Sequence, residues 1–232
     1  MSELAIRIEG LRKRYGAGDA AVDALKGVDR VVNPGEELGL IGPSGSGKST
    51  LLKCLGAVTE PTAGKMTLGG KTIFDDGWKI PNLSELRRDN IGFVFQAYNL
   101  IPVLSAYENI EFIMQLQGVP AENRRKKADA ILEEVGLTGM GERRPAQMSG
   151  GQQQRIAVAR AIVSRPSIVL ADEPTANLDS HTSNELLDLM KQLNREHNTT
   201  FIIATHDQQV IDFTQRHIHM IDGKIDKDKK AL

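Results

Sequence analysis

Cysteine is nearly missing: Cys54 is the single one among 232 residues, so the chain cannot form an internal disulfide. That count suits a reducing compartment, and Cys54 itself reads as a small core residue in a predicted helix. Net charge is also scarce, with 29 basic side chains against 30 acidic ones and a formal charge of −1. Nucleic-acid binders of this size carry a surplus of Lys and Arg, which disfavours that class. No stretch approaches the ~18 consecutive apolar residues that cross a bilayer. Residues 1–7 lack the basic-then-apolar pattern of a signal peptide. Any membrane association is therefore expected to run through a partner. No internal repeat is visible. The composition is 40% hydrophobic and 25% charged, enough for a buried core, at a length that suits one large domain or two small ones.

Against that plain background one segment stands out. Residues Gly42-Pro43-Ser44-Gly45-Ser46-Gly47-Lys48-Ser49 match the spacing G-x-x-x-x-G-K-[ST] in full. The apolar run 38–41 precedes them, and Thr50 to Leu55 continue as a helical pattern. Strand, glycine-rich loop and helix form a phosphate cradle: backbone N–H groups close on the anion and the helix points its positive end at it. Lys48 is placed to reach the β- and γ-phosphates of a nucleotide, and the Ser49 hydroxyl to ligate Mg²⁺.

Elsewhere the pattern changes twice. Residues 4–9 alternate like a strand, with turns at 16–19 and 33–35 and more strand between them. A hairpin is predicted around Gly69-Gly70, and a short buried strand over 91–95. Helices are predicted over 105–117, with Ser105 and Glu108 spaced as a capping box, over 121–135, and over 149–164. After Pro166, buried apolar strands at 168–171 and 201–204 flank a helix whose apolar face runs through Leu186, Leu189, Met190 and Leu193. This rhythm indicates a largely parallel sheet. The basic run Arg12-Lys13-Arg14 reads as a solvated turn, and the charged residues 226–230 as a solvated tail.

Four further features sit at element ends. The strand 168–171 closes on Asp172 and Glu173, where the carboxyl ends of α/β strands meet ligands. Asp172 is a candidate to hold Mg²⁺, and Glu173 to orient or deprotonate a water attacking the γ-phosphate. Ser149-Gly150-Gly151-Gln152 opens a helix, either as a second anion site or as a plain capped N-terminus. Gln96 and His206 each follow a strand, where a polar strand end and a structural histidine are the simpler readings.

Together these residues resemble the ATP-binding subunits of ABC transporters. Residues 42–49 are similar to the family's Walker A, Ile168 to Glu173 to Walker B, and Gln96 to the Q-loop. Ser149 to Gln152 are similar to the signature motif, Ala176 to Asp179 to the D-loop, and His206 to the H-loop. Tyr15 matches the aromatic residue that stacks on adenine. Met148 departs from the commoner Leu before the signature. The resemblance covers nearly the whole chain and implies a P-loop NTPase (RecA-like) α/β core with an N-terminal antiparallel β subdomain and an inserted helical subdomain. One ATP-binding domain is expected over 4–232, its core at about 4–97 and 165–225 and its insertion at about 98–164.

The resemblance also implies an ATPase using ATP and Mg²⁺. Two copies form a head-to-tail dimer in which each ATP meets Walker A of one protomer and Ser149, Gly150, Gly151 and Gln152 of the other. Glu173 is then the general base, His206 positions the γ-phosphate and water, Gln96 senses Mg²⁺, and Asp179 supports the opposite subunit. A groove in the helical insertion would receive a coupling helix of an integral membrane permease, which places the subunit peripherally on the cytoplasmic face. Residues 42–55, 87–96, 99–102 and 171–179 look like the lipoprotein-releasing, macrolide-export and cell-division group, which implies export or extraction of lipids, lipoproteins, peptides or drugs, or force transmission. A DNA-repair or translation ATPase would carry a long coiled coil or two ATP domains, and this chain has neither. A non-hydrolysing regulator is disfavoured by the intact set Lys48, Asp172, Glu173 and His206.

Overall fold

A computed structural model describes residues 5–230. Two sheets share the chain. The first is antiparallel, in the order β2-β1-β4-β5, from β1 (Ile6–Tyr15), β2 (Val22–Val32), β4 (Ala63–Leu68) and β5 (Lys71–Asp75). Gly69-Gly70 turn the β4–β5 hairpin, as the sequence predicts. The second sheet runs β10-β9-β3-β8-β7-β6. Its strands are β3 (Glu37–Ile41), β6 (Ile91–Phe95), β7 (Ile168–Asp172), β8 (Thr200–Thr205), β9 (Arg216–Ile221) and β10 (Lys224–Lys230). All neighbours pair in parallel except β10, which runs antiparallel to β9.

The parallel strands read as unbroken apolar runs because both faces are covered. In β7, Val169 and Ala171 enter one core cluster while Ile168 and Leu170 enter the other. In β8, Phe201 and Ile203 divide from Ile202 and Ala204 in the same way. One face packs on α3 (Ala106–Leu116), α4 (Ala121–Glu134), α5 (Gly150–Ile162) and α6 (Ser180–His197). The other packs on α1 (Lys48–Leu55) and the antiparallel sheet. Each fully buried Ile, Leu or Phe is worth about 1.5–3 kcal/mol, so this double interface supplies most of the driving force for folding. Cys54 lies in the second cluster, fully buried, and burial pushes its thiol pKa up to about 12.

Helix starts are set by the residues the sequence singles out. Ser105 accepts from the Glu108 N–H while the Glu108 carboxylate accepts from the Ser105 N–H. Ser149 and Gln152 make the same reciprocal pair at α5. Helix α6 ends on Asn198 at φ 52°, a left-handed stop.

Two expectations need correction, and one helix is added. Residues 226–230 are no solvated tail: they belong to β10, and Arg216 forks onto the Asp228 carboxylate at 2.8 and 2.6 Å. Arg12-Lys13-Arg14 lie within β1, not in a turn. A helix absent from the sequence reading, α2 (Leu83–Asn90), precedes β6; none of its residues is buried, so it carries no apolar stripe to read. Helix α7 (Gln208–Phe213) links β8 to β9.

Candidate nucleotide site

The strand order decides the site. In a parallel sheet the segments leaving the carboxyl ends of adjacent strands meet along one edge. Here β3 leads into the loop 42–47, β8 into His206, β7 into Asp172 and Glu173, and β6 into Gln96. A cleft of about 580 Å³ collects them, lined by Ser44, Gly45, Ser46, Gly47, Lys48, Ser49 and Thr50, with Gln96, Glu173 and His206.

The loop depends on its glycines. Gly42 has φ 156°, and a Cβ there would stand 2.2 Å from the Met220 carbonyl oxygen. Gly47 has φ 104°, and its Cβ would stand 2.6 Å from the Ala24 oxygen. The Gly223 N–H donates to the Ser46 oxygen at 3.0 Å, tying the loop to the β9–β10 turn. The Lys48 ammonium, nearly buried, donates to the Gly42 and Pro43 carbonyls at 2.6 and 3.0 Å. The Ser46 hydroxyl is buried and has no hydrogen-bond partner among the described residues, a donor left over inside the cradle.

The Ser49 hydroxyl donates to Asp172 Oδ1 at 2.9 Å across the cleft floor. Burial pushes the Asp172 carboxyl above the usual range, against the opposing Ser49 bond. A half-buried carboxylate bonded to the cleft-lining Ser49 hydroxyl, with the Gln96 amide also in the cleft wall, is an oxygen-only donor set that suits a hard divalent cation such as Mg²⁺. Glu173 has φ 49° and donates its N–H to the Ala204 oxygen, which turns its side chain off the end of β7. Its Oε1 lies 2.8 Å from His206 Nδ1, and Thr205 Oγ1 donates to Oε2 at 3.2 Å. A carboxylate held at both oxygens in a phosphate cleft can take a proton from water, and the neighbouring imidazole can fix its orientation.

A carboxyl whose folded pKa lies above its unfolded value adds stability below the unfolded value and loses it as pH rises through the folded one. Asp172→Asn is accordingly expected to raise the thermal unfolding midpoint at pH 7, with the gain vanishing below about pH 4, and to remove hydrolysis. Melting curves at both pH values check this. A midpoint at pH 7 below that of the unsubstituted chain would contradict the cost assigned to burying Asp172.

Other expected site residues lie apart. Tyr15 is not among the cleft-lining residues; it pairs across the strands with Val22, which is, and Lys13 Nζ sits 4.9 Å from its ring centroid. Ser149, Gly150, Gly151 and Gln152 open α5 outside the cleft of their own chain. A Cβ on Gly150 would stand 2.7 Å from the Tyr98 hydroxyl, and one on Gly151 2.5 Å from Thr182 Cγ2. Asp179 caps α6, accepting from the Thr182 N–H and hydroxyl, which hold its carboxyl below the usual range. The sequence reading missed Thr205 behind Glu173, and it missed the walls supplied by Val22, Asp23, Ala24 and Lys26 of β2 and by Asp222 and Gly223. No motif marks the wall residues, because they come from the antiparallel sheet and the β9–β10 turn, and Thr205 is the last residue of the apolar strand β8.

A parallel sheet with a phosphate loop after its central strand and an acidic pair after a neighbouring one defines a nucleotide-hydrolysing enzyme. The chain belongs to the ABC transporter family, matching it over residues 25–176, and is one of its ATP-binding subunits, an ATPase. It is 41% identical to the lipoprotein-releasing system ATP-binding protein LolD of Legionella pneumophila, over 97% of this chain and 98% of that one. It is 41–42% identical to macrolide export ATP-binding/permease proteins MacB, for example 42% to that of Hyphomonas neptunium over 98% of this chain and 35% of that protein. Among solved structures it superimposes on a dimeric ATP-binding cassette in a post-hydrolysis state, bound to ADP and Pi. The TM-score there is 0.87 at 39% identity, over 97% of this chain and 98% of that one.

Proposed function

We propose that this ATPase works as a head-to-tail dimer that closes on two ATP molecules and drives a separate membrane permease. The cargo class is lipids, lipoproteins, peptides or drugs, exported or extracted, or else force is transmitted across the membrane. One observation carries the dimer: the capped N-terminus of α5 presents Ser149 to Gln152 away from the chain's own cleft, so they need a second copy's nucleotide. The likeness to a dimeric cassette supports it. The names of the LolD and MacB relatives support the cargo class.

In this reading Lys48 and the loop residues 42–50 hold the phosphates, and Tyr15 stacks on adenine. Ser49, Asp172 and Gln96 hold Mg²⁺, which neutralises phosphate charge when bound. Glu173 takes the proton from the attacking water, and His206 orients Glu173 and the γ-phosphate. Ser149, Gly150, Gly151 and Gln152 grip the partner protomer's ATP, and Asp179 supports the opposite subunit.

Among the described residues no helix is long and apolar enough to cross a membrane, so the permease must dock. A groove of about 500 Å³ fits that purpose, with Phe93, Phe95, Ile113, Phe112 and Leu116 in its walls. Phe112 and Leu116 are 43% and 53% exposed, large apolar side chains in want of cover. Its charged lining residues are Arg87, Arg88 and Arg160, with no carboxylate. An amphipathic helix of the permease fits such a surface. In this reading the subunit sits peripherally on the cytoplasmic face of the membrane.

Crosslinking in native membranes followed by affinity purification tests the assignment. A four-helix permease with a large outer domain is the expected companion. Recovery alone, or with ribosomes or DNA, would overturn the transport role.

A further inference from the structure

Residues 96–105 run from the end of β6 into α3, and side chains from three other segments hold them. Asn177 Nδ2 donates to the Gln96 carbonyl at 2.8 Å. Asn109 accepts from the Ile101 N–H at 2.8 Å and donates to the carbonyls of Ile101, Leu104 and Ser105. Between these anchors lies a tight turn, with the Asn99 N–H on the Ala97 oxygen at 2.6 Å. Tyr98 and Asn99 have φ of 58° and 48°. Two consecutive non-glycine residues in the left-handed region are rare, and persist only where the surroundings impose them.

Arg160 holds the carbonyls of both residues. Its Nη1 donates to the Asn99 carbonyl at 2.6 Å and its Nη2 to the Tyr98 carbonyl at 3.0 Å. No carboxylate pairs with it among the described residues, although a planar fork ordinarily seeks one. The same residue lines the groove between β6, α3 and α5. Tyr98 reaches the first residue of α5, at Gly150. The turn thus touches the groove wall, the helix start that faces a partner protomer, and, two residues upstream, Gln96 in the cleft.

We propose that Arg160 is a positioning residue: its fork holds the 96–99 turn that presents Gln96 to the cleft, and its place in the groove wall lets a seated segment change that hold. This rests on the ATPase reading and on the groove as a docking surface. A lysine keeps the charge but cannot span both carbonyls as a rigid fork.

Hydrogen–deuterium exchange and steady-state hydrolysis on the full chain test it, with Arg160→Lys and Arg160→Ala. In Arg160→Lys the amides of Tyr98 and Asn99 are expected to exchange about tenfold faster, and kcat to fall about tenfold at a near-constant KM for ATP, while α3 and α5 keep their protection. Arg160→Ala should exceed both effects; if it does not fold, the lysine variant decides. Unchanged exchange at 98–99, or exchange that rises equally along α5, overturns the role. Unchanged exchange in Arg160→Lys beside lost hydrolysis in Lys48→Ala would remove this inference and leave the ATPase reading standing.

Discussion

Replacing Glu173 by Gln is expected to lower turnover about a thousandfold while leaving ATP binding and the ATP-bound dimer intact. The side chain keeps its size, so the φ 49° position after β7 and the N–H bond to the Ala204 oxygen are undisturbed. An amide can still meet Thr205 Oγ1 and His206 Nδ1, the two partners of the carboxylate. What it cannot do is take a proton from water. The loss should therefore fall on kcat and not on affinity. Single-turnover hydrolysis together with sizing in the presence of ATP separates the two effects. A variant that hydrolyses ATP at the native rate would remove Glu173 from the chemistry. One that fails to dimerise would make it a structural residue.

Lys48→Ala is expected to weaken ATP binding by about a hundredfold or more. The ammonium is nearly buried and held over the loop by the Gly42 and Pro43 carbonyls, with no ion-pair partner among the described residues. It is thus a positive charge fixed at the mouth of a phosphate cradle. A charge-assisted bond to a phosphate oxygen is worth about 1.5–3 kcal/mol, and about 2.7 kcal/mol corresponds to a hundredfold in affinity. Titration with ATP by calorimetry gives the number, and far-ultraviolet dichroism checks that the fold survives. Affinity within about threefold of native would contradict the placement of Lys48 on the phosphates.

The parts of the fold that the sequence makes legible are those where local chemistry and tertiary context agree. The loop 42–49, the capping boxes at Ser105 and Ser149, and the apolar runs of β7 and β8 are each written in adjacent residues. The misreadings come from segments whose fate is set at a distance. The charges of 226–230 look like a tail, yet an edge strand tolerates alternating Lys and Asp on a solvated border, and Arg216 and Arg30 supply partners for Asp228. Arg12 to Arg14 look like a turn because their polarity hides a strand paired with both β2 and β4. The groove was expected within the helical insertion; its walls also draw on Val58, Ser84 and β6, which no local pattern links to that helical stretch. Arg160 sits in an ordinary helical stretch, and its two acceptors lie 61 and 62 residues earlier.

The central position of β3 has a consequence for how the protein is made. It pairs with β8 and β9, whose residues follow it by about 160 to 180 positions, and the loop after it packs on Met220 and Gly223. At about 5–20 residues per second of synthesis, β3 waits on the order of ten seconds or more for its neighbours. The nascent chain thus carries its phosphate-binding sequence long before it has a phosphate-binding site. Nucleotide capture is deferred until nearly all of the sheet exists.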